Sequence, residues 1–175
     1  MQLAFDFAEN ARPVLPGRSE RLFFCVMPGG DALPALARFA EAFLARHAPG
    51  ARPIAPERLH VSLHHLRDDV RLRESTLFAA RQAARRIALH PFQQRFHRAT
   101  GFPALSPKKP GCPLVLLADG EGLPTLHRQI ASGLAAIGWR AGGIGAPHMT
   151  LAYARRPLPA ATVPPIGFEV REVLL

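Results

Sequence analysis

The feature that most limits how this chain can fold is an internal echo. A short apolar run, an amphipathic helical pattern and a strand opening on His-x-Ser/Thr-Leu occur in that order over residues 21–66 and again over 114–153. Phe23 lies 37 residues before His60, and Val115 lies 33 before His148. The same three elements at similar spacing predict two pseudo-symmetric halves, with their His-bearing strands facing each other across a cleft.

The remaining elements follow from periodicity and punctuation. The compact apolar run RLFFCVM at 21–27 closes at Pro28-Gly29-Gly30 and reads as a buried strand. Asp31 then caps a helix whose apolar positions are Leu33, Leu36, Ala40, Phe43 and Leu44, ended by Pro49-Gly50. Strand alternation over 59–66 puts Leu59, Val61 and Leu63 on one face and His60, Ser62 and His64 on the other. A second helix is expected over 72–89, with Leu77, Ala80, Ala84, Ile87 and Ala88 inward. Strands follow at 92–102 and 114–118. Leu123, Leu126, Ile130, Leu134 and Ile137 form a helical stripe ended by Gly138, and strands at 148–153 and 167–175 complete the chain. Residues 1–20 read as an irregular arm, and 106–113 as the least structured interior stretch.

Composition narrows the function. At 175 residues and 48% apolar, the chain suits one domain with a substantial core. Lys and Arg (22) outnumber Asp and Glu (13), a net charge of +9 that favours an anionic partner. Cys25 and Cys112 stand in unrelated contexts, which excludes a disulfide framework and a Cys-based zinc site and suits a reducing cytoplasm. No apolar run approaches the ~20 residues of a membrane span. Residues 1–16 carry Asp6 and Glu9 in place of a basic and then apolar leader.

The chemistry resides in the two motifs. With period-two alternation, His60 and Ser62 point the same way, as do His148 and Thr150. A free imidazole titrates near pH ~6.5, so one of a pair accepts a proton while the other donates one. That suits in-line displacement at phosphorus: a base takes the proton of the attacking water and an acid protonates the departing sugar oxygen. The two hydroxyls donate hydrogen bonds to the nonbridging oxygens, where negative charge sits. No metal or other cofactor is called for.

His60-Val61-Ser62-Leu63 and His148-Met149-Thr150-Leu151, in this strand-helix-strand pattern, resemble the paired His-x-Thr/Ser motifs of the 2H phosphoesterase superfamily. More narrowly, they resemble its LigT-like branch of 2'-5' RNA ligases and RNA 2',3'-cyclic phosphodiesterases. The resemblance runs from about Arg21 to Leu175 and includes the RLFF strand, Pro147 and the closing FEVREVLL segment. It implies an α+β, bilobal fold, with two antiparallel sheets lining a central cleft and helices packed outside. It also implies metal-independent opening of terminal 2',3'-cyclic phosphates to 2'-phosphates, with joining to a 5'-hydroxyl as the reverse chemistry.

On this reading His148 is the base that activates water and His60 the acid, an assignment that pseudo-symmetry makes reversible. Ser62 and Thr150 hold the phosphate. Two places depart from the family pattern. An aromatic usually follows the first motif and an Arg usually stands two residues after the second motif's Leu; here those places read His64-His65 and Tyr153. Candidate RNA or nucleotide contacts are His64, Tyr153, Arg155, Arg156, Lys108 and Lys109, with Arg155 or Arg156 offered as the missing cation. Arg95 and Arg98 are further candidates for an RNA track. The expected partner is an RNA end or nucleotide bearing a 2',3'-cyclic phosphate, met by a cytoplasmic monomer with no membrane association. The alternatives are a sibling activity on a small nucleotide such as ADP-ribose cyclic phosphate, and an RNA-binding module without turnover.

Overall fold

Apolar runs bounded by Pro and Gly become strands, and the 3.6-residue stripes become helices. The computed structural model describes residues 20–69, 72–104, 111–139 and 145–175. The arm at 1–19 and most of the 106–113 stretch lie outside those residues. In chain order the elements are β1 (Glu20–Val26), α1 (Ala32–His47), a short 3-10 turn (Pro56–Arg58), β2 (Val61–Asp69), α2 (Glu74–Ala84), β3 (Phe92–Gly101), β4 (Cys112–Ala118), α3 (Gly122–Ala135), β5 (His148–Ala154) and β6 (Ala161–Val170). The echo becomes β1-α1-β2 and β4-α3-β5, and within each half the two strands pair antiparallel.

The strands run in the order β1-β2-β5-β4-β3-β6. Their central junction is narrow: β2 meets β5 through one pair, Val61 opposite Met149. The fold is α+β, but in place of the two separate antiparallel sheets expected from the sequence it has one six-stranded sheet, whose β1-β2 and β5-β4-β3-β6 portions join at a narrow seam where both motif strands begin. Where β2 departs, the α1–β2 connector takes over the edge of β5: Pro53 bridges Ala152, and the Ile54 amide donates to the Leu151 carbonyl at 2.7 Å. Leu174 exchanges two main-chain hydrogen bonds with Cys25, covering part of the free edge of β1.

One core ties the layers together. Val61, Leu63, Met149 and Leu151 of the motif strands are fully buried with Leu36 and Leu44 of α1, Ala83 of α2, and Leu126 and Ile130 of α3. The helices thus cover the sheet face opposite to the histidines. The α2–α3 crossing is close enough that a Cβ on Gly133 would come within 2.9 Å of the Ala83 Cα.

That crossing corrects the expected second helix. α2 ends at Ala84 instead of Leu89, and its buried residues are Thr76, Ala79, Ala80, Ala83 and Ala84. The large apolar side chains are not what this helix buries, because close approach to Gly133 requires small residues; Phe78 is 62% exposed. Asp31 occupies the N-cap position of α1 but makes no side-chain capping bond. Ile137 lies beyond the end of α3 and is partly exposed. The last strand begins at Ala161, six residues before its expected start. Pro164 and Pro165 fall where the pairing with β3 jumps from Phe96↔Ile166 to Arg98↔Thr162, an irregularity that an edge strand tolerates.

Candidate functional site

The single β2–β5 pair fixes the geometry of the site. Val61 and Met149 oppose each other with their side chains in the core, so their strand neighbours point the other way. Extending the antiparallel register by one residue sets His60 opposite Thr150 and Ser62 opposite His148. Each imidazole therefore lies across the seam from the other motif's hydroxyl residue. All four side chains are half-buried, which leaves the seam open to a substrate.

Each ring is oriented in the same way. His60 Nδ1 lies 2.7 Å from the Arg58 carbonyl oxygen, and His148 Nδ1 lies 2.9 Å from the Ala146 carbonyl oxygen. A carbonyl only accepts, so Nδ1–H donates in both cases and Nε2 is left to exchange protons. In both rings the orienting group is the main-chain carbonyl two residues upstream, a neutral partner that fixes the tautomer. A phenylalanine flanks each ring: Phe23 is tilted against His60 at 5.3 Å between centroids, and Phe102 meets His148 edge-on at 5.1 Å. Phe102, which follows the end of β3, is thereby brought against the second motif.

Matching β-bulges follow the two motifs. Between β1 and β2 the pairing passes from Cys25↔Ser62 to Phe24↔His64, leaving Leu63 unpaired. Between β4 and β5 it passes from Val115↔Thr150 to Leu114↔Ala152, leaving Leu151 unpaired. The bulge corrects the expected placement of His64. It turns inward, is 2% exposed, and stacks on His127 of α3 with 4.2 Å between ring centroids. Burial of His127, and Arg128 beside it, lower its pKa. A nucleotide contact by His64 is not compatible with that burial.

The residues the bulges return to the open face are His65 and Tyr153, each five positions after its motif histidine. Regular alternation would have turned both of them inward. Tyr153 is 56% exposed. His65 Nε2–H donates to Asp68 Oδ1 at 2.8 Å, and Arg21 donates to both Asp68 oxygens at 3.0 and 3.3 Å. The Arg21 hydrogen bond, and then that from His65, hold the Asp68 carboxyl down to about 2.

Other candidates separate by position. Arg98 pairs with Leu117, and Leu117 with His148, so Arg98 stands in the same cross-strand row as His148, two strands away. Arg155 and Arg156 lie past the far end of β5, lining an open depression with Tyr153, His47 and Arg52 instead of touching the histidines. Lys108 and Lys109 lie outside the described residues. Cys25 is buried beside Ser62, and burial pushes its thiol up to about 11, so it is no thiolate nucleophile at neutral pH.

Two imidazoles and two hydroxyls thus share the open face of paired strands from two half-repeats. The sequence matches the family described as the 2'-5' RNA ligase superfamily over residues 32–174, and the chain belongs to that superfamily. Solved structures are similar in fold. A protein of Thermus thermophilus is 24% identical with a TM-score of 0.60, the match covering 88% of this chain and 86% of that one. LigT of E. coli complexed with NADP+ is 22% identical with a TM-score of 0.62, covering 89% and 86%. A structure described as a phosphoesterase is 24% identical with a TM-score of 0.62, covering 88% and 85%. E. coli LigT has also been solved with 3'-AMP and with ATP. No curated protein matches the chain.

Proposed function

We propose that this protein is a metal-independent RNA 2',3'-cyclic phosphodiesterase that opens terminal cyclic phosphates to 2'-phosphates. The observation that carries the reading is the shared orientation of the two rings, each with Nδ1–H held by its own upstream carbonyl and Nε2 left for proton transfer. Neutral His148 takes a proton from water as the water oxygen attacks phosphorus. The P–O3' bond breaks opposite the incoming oxygen, and protonated His60 gives its Nε2 proton to O3'. Ser62 and Thr150 donate hydrogen bonds to the nonbridging oxygens as charge builds there. A turnover leaves His148 protonated and His60 neutral, and solvent restores both.

A 5'-hydroxyl entering in place of water forms a 2'-5' linkage through the same displacement. The capture of 3'-AMP, ATP and NADP+ by E. coli LigT supports a nucleotide ligand in a cleft of this fold. One chain supplies both histidines, so a monomer suffices.

Product analysis tests the reading. An oligonucleotide ending in a 2',3'-cyclic phosphate, incubated with the protein in excess EDTA, should yield a 2'-phosphate. A 3'-phosphate, or ends left intact, contradicts it.

A further inference from the structure

The seam that holds the histidines continues into a basic groove. Pro53 pairs with Ala152, so one further step of the antiparallel register sets Arg52 beside Tyr153. Along β5 the open face then reads His148, Thr150, Tyr153 and, past the strand end, Arg155. Across the seam it reads Ser62, His60 and Arg52. The far end widens into a depression of about 850 Å³, walled by the loop that ends α1 and by the β5–β6 turn.

The chemistry of that depression is one-signed. Arg52, Arg155, Arg156 and His47 line it, and among the described residues no Asp or Glu does. The three arginines are exposed, and none of them has a carboxylate partner among the described residues. Uncompensated guanidinium groups beside an exposed tyrosine are the combination that tracks single-stranded nucleic acid: cations for the backbone and a ring for base stacking. Six residues of β5 lie between His148 and Arg155, which puts them roughly 20 Å apart along the seam. That distance exceeds what one nucleotide seated at the histidines covers.

We propose that this groove binds the phosphodiester backbone of the RNA strand leading to the reacting end, with Arg52, Arg155 and Arg156 as its phosphate contacts. The proposal rests on the cyclic phosphodiesterase reading for its direction of binding. It adds that the protein acts on oligonucleotide ends in preference to mononucleotides, and that this preference is encoded outside the histidine cleft.

The test uses the full chain and its R52Q/R155Q/R156Q variant, with two substrates: a 2',3'-cyclic mononucleotide and an octamer ending in the same cyclic phosphate. An octamer lies within the ~4–16-nucleotide site size of single-strand binders. The wild-type kcat/KM ratio of octamer to mononucleotide should be about tenfold or more at low salt, and it should collapse towards one in the variant. In parallel, binding of a 3'-hydroxyl octamer, which is not turned over, should show a log K against log salt slope about 2 smaller in the variant, near 0.7 per lost phosphate contact. An unchanged ratio and slope overturn the proposal. So does an equal loss on both substrates, or a polyglutamate peptide that binds as tightly as the octamer. If the triple variant does not fold, the three single variants are read for their individual slopes. A wild-type protein that opens neither substrate refutes the catalytic reading, while the slope experiment still decides the groove.

Discussion

Leu63 and Leu151 hold the same place in the two halves: each is the unpaired residue of a β-bulge immediately after its motif hydroxyl. Both are fully buried, and the residue after each, His64 or Ala152, is buried as well. Two successive inward side chains shift the alternation by one. His65 and Tyr153 therefore face the open side of the sheet, where an unbroken strand would have turned them to the core.

In the proposed groove Tyr153 would serve as the stacking platform for a base of the RNA strand. Stacking of a base on an aromatic ring contributes about 1–3 kcal/mol. Tyr153→Ala should raise KM about five- to tenfold or more with a smaller change in kcat, and Tyr153→Phe should retain most of the wild-type KM. Steady-state kinetics on an octamer ending in a 2',3'-cyclic phosphate distinguish the two. A large fall in kcat with unchanged KM would place Tyr153 in the chemical step instead.

Ser62 and Thr150 should matter to the chemical step. A hydrogen bond to a charged group contributes about 1.5–3 kcal/mol, or roughly tenfold to a hundredfold in rate. Ser62→Ala and Thr150→Val should each lower kcat/KM by that factor while leaving the thermal midpoint within a few degrees of wild type. Undiminished activity in both variants removes the hydroxyls from the mechanism.

The Asp68 cluster makes a prediction about acid stability. Its folded carboxyl titrates at about 2, against 3.8 without the Arg21 and His65 hydrogen bonds. Between those values the unfolded chain binds a proton that the folded chain does not. The contribution is therefore complete above about 3.8 and is lost as pH falls towards 2. Asp68 is largely exposed, so solvent screening keeps the effect small. In Asp68→Asn the pH dependence of urea unfolding across this window should become shallower; an unchanged dependence contradicts the assignment.

The strand-helix-strand echo was legible because burial imposes local periods of two and 3.6, and the spacing of His60 and His148 survives folding unchanged. The faces of His60, Ser62, His148 and Thr150 were legible for the same reason, since each motif is shorter than the distance to its bulge. What lay beyond Leu63 and Leu151 was not. A bulge is a property of two paired strands, and the single chain carries no mark of the missing partner. His64 was misplaced and the cleft-facing side of Tyr153 obscured on that account. The burial of small residues in α2 was missed because periodicity weights large apolar side chains, whereas the contact with Gly133 selects for alanine. Arg52 entered the groove through the Pro53–Ala152 bridge, a long-range pairing that local pattern does not reveal.

In the proposed mechanism His60 and His148 exchange protons during opening of a cyclic phosphate. The most direct measurement is the rate of 2'-phosphate formation from a cyclic-phosphate-ended oligonucleotide, in excess EDTA, by wild type, His60→Ala and His148→Ala. Both side chains are half-buried outside the core, so the variants should fold, as circular dichroism and the thermal midpoint will report. General acid-base groups contribute about 10²- to 10⁴-fold each, so each variant should lose at least ~10²-fold in turnover. A folded His60→Ala or His148→Ala protein with a near-normal rate would contradict the account.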